Sequence, residues 1–193
     1  MRKLIVTNIV SLDGYFEGAD SNVMAMPFDD NFDVYNVERM RAADTMLYGR
    51  RTYEGFKGYW PEMQNNPSVT ENEREISRIQ NAIAKVVVSD SLTEEQTEPW
   101  RDTTTIVRRG EAHARIAALK EQPGRDILVF GSRTLWNDLL AGGLVDELHL
   151  IMGAGVLGNG TPAFGAKPLS LRLLGARIWQ NGNNVVLVYA PAS

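Results

Sequence analysis

The chain has 193 residues, of which 44% are hydrophobic, and its formal net charge is −4 at pH 7. This length suits one domain with a substantial core, and the negative charge argues against a nucleic-acid-binding protein. The absence of cysteine excludes disulfides and thiolate metal ligands and is typical of a reducing compartment. No stretch approaches the roughly 18–20 apolar residues of a membrane span, so we expect a soluble, cytoplasmic protein.

The first half of the chain predicts alternating strands and helices. Runs rich in β-branched and other apolar residues predict strands over 3–10, 45–49 and 85–89. Apolar residues spaced by three or four predict helices over 32–43 and 50–57 and around Ile76, Ile79 and Ile83. Gly, Pro, Asn and Asp concentrate in two segments, which we interpret as long loops: 14–31 and 58–70.

The second half continues the alternation and then changes character. It predicts strands over 103–107, 126–131 and 145–153 and helices over 111–121 and 132–141. The β-rich runs 170–179 and 184–190 flank Asn181-Gly182, which is a strong hairpin signal. The expected fold class is therefore α/β, with a mostly parallel central sheet, helices on both faces and a C-terminal antiparallel hairpin.

Two segments, 45–56 and 127–140, share one pattern: an apolar strand, a glycine, a small polar or basic residue, and a helix. Such a junction brings backbone N–H groups and the positive end of a helix dipole to one point, which favours anion binding. Two junctions, at Gly49 and Gly131, predict a ligand with several phosphates along one sheet edge. A dinucleotide is the natural candidate.

The side chains around the two junctions fit this interpretation, although simpler ones remain open. Thr52 and the backbone would hold one phosphate, and Arg50 or Arg51 would pair with a second, as expected for NADPH; the alternative is a tight turn with solvated arginines. Ser132 and Thr134 suit a pyrophosphate; the alternative is ordinary N-capping by Ser132. Ser89 and Ser91 follow a third strand and suit the adenosine end, or simply cap a turn.

A candidate catalytic acid, Asp13, follows the first strand. It can orient a polar heterocycle or assist proton transfer, or merely form an Asp-Gly turn. Asp29, Asp30 and Asp33 are rival acids, for which a solvated helix face is the simpler interpretation. The segment 153–158 matches G-x-G-x-x-G, but no helix follows it, so we interpret it as a glycine-rich loop.

At these motifs the chain resembles a known family. SLDG at 11–14, LYGRRTYE at 47–54 and the long block 128–165 are similar to the dihydrofolate reductase-like family. More specifically, the chain is similar to the C-terminal reductase domain of the bifunctional riboflavin-biosynthesis deaminase–reductase and to its stand-alone relatives, which lack a deaminase domain. One such domain would span 1–193.

The resemblance implies an NADPH-dependent reductase that transfers hydride to a small heterocycle, as 5-amino-6-(5-phosphoribosylamino)uracil reductase does, and a homodimer. It places Asp13 near the nicotinamide and substrate. It assigns cofactor binding to two sets, an adenosine-side set of Gly49, Arg50, Arg51, Thr52 and Ser89 and a pyrophosphate set of Gly131, Ser132, Thr134 and Leu135.

The chain also departs from the family. Gly131-Ser132 stands where paired glycines are common, and Asp33 only approximately matches the acid that dihydrofolate reductase carries on its first helix. The alternatives are a non-catalytic nucleotide-binding dimer, a dihydrofolate or pterin reductase, and a flavin-binding oxidoreductase.

Overall fold

The computed structural model describes residues 1–165 and 168–192, which form one α/β unit. Its helices are α1 (Asp30–Ala42), α2 (Arg50–Met63), α3 (Glu71–Ala82), α4 (Ala112–Glu121) and α5 (Arg133–Ala141). Its strands are β1 (Leu4–Ser11), β2 (Tyr15–Glu17), β3 (Ala43–Gly49), β4 (Ala84–Val88), β5 (Thr104–Val107), β6 (Asp126–Phe130), β7 (Glu147–Gly153), β8 (Thr161–Pro162), β9 (Leu171–Ile178) and β10 (Val185–Pro191).

Eight strands form the central sheet in the order β5-β4-β3-β6-β1-β7-β10-β9. The first six run parallel, whereas β10 pairs antiparallel with β7 and β9 antiparallel with β10. The prediction of a mostly parallel sheet closed by a C-terminal antiparallel hairpin is therefore confirmed. A separate antiparallel pair, β2 and β8, lies beyond the end of β1.

The sheet is covered on both faces because its central strand is apolar on both. Every residue of β1 is buried. Leu4, Val6 and Val10 join a core cluster that includes residues of α4 and α5, whereas Ile5 joins a second cluster with residues of α1, α2 and α3. A strand enclosed between two helical layers is expected to be rich in Val, Ile and Leu, as β1 is apart from the buried Thr7, Asn8 and Ser11.

One predicted loop is helical in its first part, 58–63. The segment 58–70 was expected to lack regular structure because of its Gly, Pro and Asn residues, but α2 continues to Met63 and includes Pro61. The side chains of α3 explain the extension. Ser77 donates to the carbonyl of Trp60 and Asn81 donates to the carbonyl of Pro61, so carbonyls at the end of α2 are satisfied.

The loop predicted over 14–31 also contains short structure. It holds β2, two single 3-10 turns and the first residues of α1. None of the helices within 1–165 and 168–192 combines the length and apolarity needed to cross a bilayer.

Candidate functional site

The two strand–helix junctions lie side by side and are hydrogen-bonded to each other. They meet because β3 and β6 are neighbours in the sheet and end at the same edge. The backbone N–H of Gly49 donates to Ser132 Oγ at 2.9 Å, and the N–H of Ser132 donates to Thr52 Oγ1 at 2.9 Å. The pairing that the sequence predicted from repetition of one pattern is thus a direct contact between residues about eighty positions apart.

The turn after β6 has an unusual backbone. Gly131 and Ser132 have φ angles of +57° and +51°, so both lie in the left-handed region. A Cβ at Gly131 would lie 2.8 Å from Cγ2 of Thr52, which leaves no room for a side chain. The N–H of Gly131 donates to Asn8 Oδ1 at 2.7 Å, which attaches the turn to β1.

Ser132 does not cap α5 through its side chain, so the simpler interpretation of this serine is wrong. Its hydroxyl accepts from Gly49 instead. The N–H groups of Gly49 and Ser132 therefore hold the two junctions together, and that of Gly131 binds β1, so none of the three is free for a ligand.

Donors for an anion remain in the first turns of α2 and α5. The first N–H groups of a helix have no acceptor within it. In α5 these belong to Arg133, Thr134 and Leu135, because the first backbone bond of that helix is from Trp136 N–H to the carbonyl of Ser132. Thr134 is exposed and Leu135 is buried. The positive ends of two helix dipoles thus meet at one edge of the sheet.

Arg50 lies on the β4 side of this edge. Its Nη1 donates to Ser91 Oγ at 2.5 Å, and its Nε donates to Glu54 Oε1 at 2.8 Å. The hydroxyl of Ser89 is buried and accepts from the N–H groups of Ser91 and Leu92. Of the two serines, Ser89 shapes the turn and Ser91 presents its hydroxyl beside the guanidinium.

Arg51 points the other way. Its guanidinium contacts the hydroxyl of Ser21 and lies 3.5 Å from Glu17 Oε2. Glu17 is buried and also accepts from the Thr161 hydroxyl at 2.9 Å. The sequence pattern treated Arg50 and Arg51 as interchangeable, whereas the fold separates them. The sequence pattern did not identify Glu17 as the partner of Arg51, because Glu17 is one of several acids in one loop.

Asp13 holds the glycine-rich segment. Its carboxylate accepts from the Ser11 hydroxyl at 2.7 Å and from the N–H groups of Leu157 and Gly158 at 3.1 and 2.7 Å. These hydrogen bonds lower the pKa of Asp13 to about 2, so the group is ionised at neutral pH. The segment 153–158 forms no helix, which confirms its interpretation as a loop.

The sequence suggested that the acids at the start of α1 are solvated, but this does not hold for all of them. Asp29 caps the helix by accepting from the N–H of Phe32. Asp33 is half-buried, and this burial, reinforced by Glu73 and Asp30, raises the pKa of Asp33 to about 6. In the part of the chain that the structure describes, no three His, Asp or Glu side chains form a candidate metal site.

Comparisons with known proteins agree with this geometry. A protein from Shewanella sp. PV-4, proposed to act in riboflavin biosynthesis, has a TM-score of 0.71 at 20% identity, and the match covers 99% of each chain. The diaminohydroxyphosphoribosylaminopyrimidine deaminase/5-amino-6-(5-phosphoribosylamino)uracil reductase of Thermotoga maritima has a TM-score of 0.65 at 11% identity, with 99% of this chain and 57% of that one covered.

A dihydrofolate reductase from Enterococcus faecalis, complexed with NADP(H) and RAB-propyl, has a TM-score of 0.61 at 13% identity, over 99% of this chain and 97% of that one. The dihydrofolate reductase-like fold is thereby confirmed. A family model described as the RibD C-terminal domain matches residues 2–187. The chain therefore belongs to the RibD C-terminal domain family, a membership that supports an oxidoreductase related to riboflavin biosynthesis.

Proposed function

We propose that this protein is an NADPH-dependent reductase that transfers hydride to a small heterocyclic substrate. The observation that carries the proposal is the hydrogen-bonded pair of strand–helix junctions, where two helix N-termini meet beside Arg50. The nicotinamide cofactor named for the Enterococcus faecalis structure supports it. So does the reductase named for the Thermotoga maritima protein.

The donor set fits a dinucleotide with an additional phosphate. The N–H groups of Arg133, Thr134 and Leu135 and the Thr134 hydroxyl would hold the pyrophosphate, over the turn that Gly131 and Ser132 shape. Gly49 and Thr52 would support the first turn of α2, with Arg50 bound to the adenosine-side phosphate. Ser89 would act through its turn, by presenting Ser91. The bound cofactor supplies the hydride, and the protein orients the two reactants.

Arg51 is assigned a secondary role on the cofactor side. Its side chain is 71% exposed, against 38% for that of Arg50, and it is paired with Glu17, as Arg50 is with Glu54. A phosphate would have to compete with a carboxylate at either arginine, so the position of Arg50 beside Ser91, on the β4 side of the edge, is what distinguishes it. We therefore expect Arg50 to contribute more than Arg51 to the preference for NADPH.

Asp13 is proposed as a positioning residue at the substrate end. Its hydrogen bonds to Leu157 and Gly158 fix the loop after β7, and its low pKa makes it an acceptor rather than a proton donor. Asp13→Asn is expected to raise KM more than it lowers kcat, because the amide cannot accept equally well with both of its polar atoms. An unchanged KM and kcat would remove Asp13 from the site.

A second candidate, a dihydropterin-type reductase, is favoured by Asp33. A carboxyl group with a pKa of about 6 can be partly protonated near neutral pH and can donate to a ring nitrogen. The two candidates differ in substrate. If the wild type reduces dihydrofolate and Asp33→Asn does not, the result would favour the dihydropterin-type reductase.

We also propose a homodimer formed through β9. This strand is the edge of the central sheet, and Leu173, Leu174 and Ile178 on it are 54%, 44% and 75% exposed. An exposed apolar edge strand favours association. Light scattering is expected to give twice the chain mass for the wild type and the chain mass for Ile178→Lys.

The cofactor proposal is tested by titrating the protein with NADPH and NADH while following tryptophan fluorescence. We expect NADPH to bind more tightly, and Arg50→Ala to weaken NADPH by about 10–100-fold with little effect on NADH, since a charge-assisted hydrogen bond contributes about 1.5–3 kcal/mol. Arg78→Ala, a variant on the exposed face of α3, is the control. Failure of both nucleotides to bind would refute the cofactor assignment.

A further inference from the structure

The edge of the sheet is divided into two halves of opposite charge. The half formed by the ends of β3, β4, β5 and β6 carries more arginines than carboxylates, namely Arg50, Arg51, Arg108, Arg109 and Arg133 against Glu54, Asp90 and Glu111. The other half, which we name the substrate half, consists of residues 12–31, 153–165 and 179–184. It contains five carboxylates and no Lys or Arg. Under the proposed function, on which this inference rests, the substrate lies at this second half.

These three segments form one continuous surface. Asn184 joins them, because its side chain donates to the carbonyl of Pro27 and accepts from the N–H of Ala154. The N–H of Leu12 donates to the carbonyl of Gly155. The three segments therefore belong to one wall at the ends of β1 and β7, and all five carboxylates lie in the first of them.

The guanidinium groups that border the substrate half are already engaged. Arg51 reaches it only at Ser21 and Glu17, and the buried Glu17 carboxylate offsets its charge. Arg133 donates to the carbonyl oxygens of Pro162 and Phe164. The two guanidinium groups that reach this half therefore carry fewer charges than its five carboxylates, and one of them is paired with Glu17.

The substrate half instead offers apolar surface. Leu12, Phe28 and Val156 are 61%, 37% and 71% exposed. Ordinary ligand sites combine such apolar walls with a few polar groups. This composition suits a planar ring and disfavours a dianion, which the surrounding carboxylates repel.

We propose that the substrate of this reductase is a heterocycle without a phosphate group, neutral or positively charged at pH 7. The Thermotoga maritima protein is named for a phosphoribosylamino substrate. By this inference the present chain shares its fold and takes a substrate of a different charge class.

The test maps where a sugar phosphate binds. Ribose 5-phosphate and, as control, ribose are titrated into isotope-labelled protein, both alone and saturated with NADPH, while backbone amide shifts are recorded. The same titrations are made with Val156→Lys, which places a cation on the exposed apolar wall, and with Val156→Gln as its matched uncharged control.

We expect no saturable shifts from ribose 5-phosphate within 12–31 or 153–165 of the wild type, and at least about tenfold tighter binding there in Val156→Lys than in Val156→Gln, because one charge-assisted contact contributes about that much. Saturable phosphate-dependent shifts in those segments of the wild type would overturn the proposal. So would a Val156→Lys variant that gains nothing.

Failure of the proposed function is a separate result. It appears as an absence of NADPH-induced shifts at residues 49–52 and 131–135, whatever the sugar phosphate does. A kinetic comparison completes the test. We expect kcat/KM to be higher for 5-amino-6-(ribosylamino)uracil, which has no phosphate, than for 5-amino-6-(5-phosphoribosylamino)uracil. The reverse order would refute the inference.

Discussion

Replacement of Gly131 by alanine should damage the fold and the candidate cofactor site together. The left-handed backbone of Gly131 costs an alanine about 1–2 kcal/mol. The added Cβ would lie 2.8 Å from Cγ2 and 3.0 Å from Oγ1 of Thr52, so Thr52 must move. That movement breaks the hydrogen bond from the N–H of Ser132, and an unpaired buried donor costs about 1–3 kcal/mol more. We expect Gly131→Ala to lose about 2–5 kcal/mol of unfolding free energy.

Urea denaturation followed by tryptophan fluorescence measures this loss, and Gly58→Ala is the matched control. Gly58 lies within α2 and has no atom within 4 Å of an added Cβ. Its replacement is expected to change the unfolding free energy by less than about 1 kcal/mol, in the stabilising direction. Equal stabilities of Gly131→Ala and the wild type would refute the reasoning, because they would mean that neither the backbone angle nor Thr52 constrains this turn.

Three further outcomes are expected from urea denaturation. Ser132→Ala should be less stable than Ser132→Gly by about 1 kcal/mol, because both lose the acceptor for Gly49 N–H but only glycine relieves the left-handed backbone; the reverse order would contradict this. Since burial raises the pKa of Asp33 to about 6, the wild type should lose stability relative to Asp33→Asn as pH rises from about 4 to about 7, by about 1–2 kcal/mol after solvent screening. A pH-independent difference would argue against a buried carboxyl. Lys85 is 1% exposed, and burial lowers its pKa to about 7. As pH falls from about 10 to about 7, the unfolded lysine takes up a proton that the native one does not. Over that range the unfolding free energy of Lys85→Met should therefore gain about 2–4 kcal/mol over that of the wild type. A gain that is equal at both pH values would point to packing alone.

Much of the fold could be predicted from the sequence because its signals are local. Apolar strand runs, glycine-ended strands and Asn181-Gly182 each act within a few residues, and together they indicate a parallel sheet closed by a hairpin. The end of α2 could not be predicted, because Pro61 normally ends a helix. Here Ser77 and Asn81 of α3 satisfy the carbonyls of Trp60 and Pro61, a contact that local sequence does not contain.

The candidate site was also predictable only in part. The positions of Gly49 and Gly131 at one sheet edge were predictable from two copies of one pattern. Which donors remain free was not, because the N–H groups of Gly49 and Ser132 bind partners 83 and 80 residues away in the chain. The raised pKa of Asp33 also depends on burial by packing rather than on its helix position alone.

The two hydrogen bonds between the junctions couple the effects of substitutions in two motifs that are distant in sequence. The hydroxyl of Thr52 receives the N–H of Ser132, and the hydroxyl of Ser132 receives the N–H of Gly49. A change at position 52 alters the environment of position 132, and the effects of paired changes in contact are not additive. Substitutions in the two motifs are therefore expected to be correlated among relatives. Replacing one junction alone with that of a relative would disrupt both.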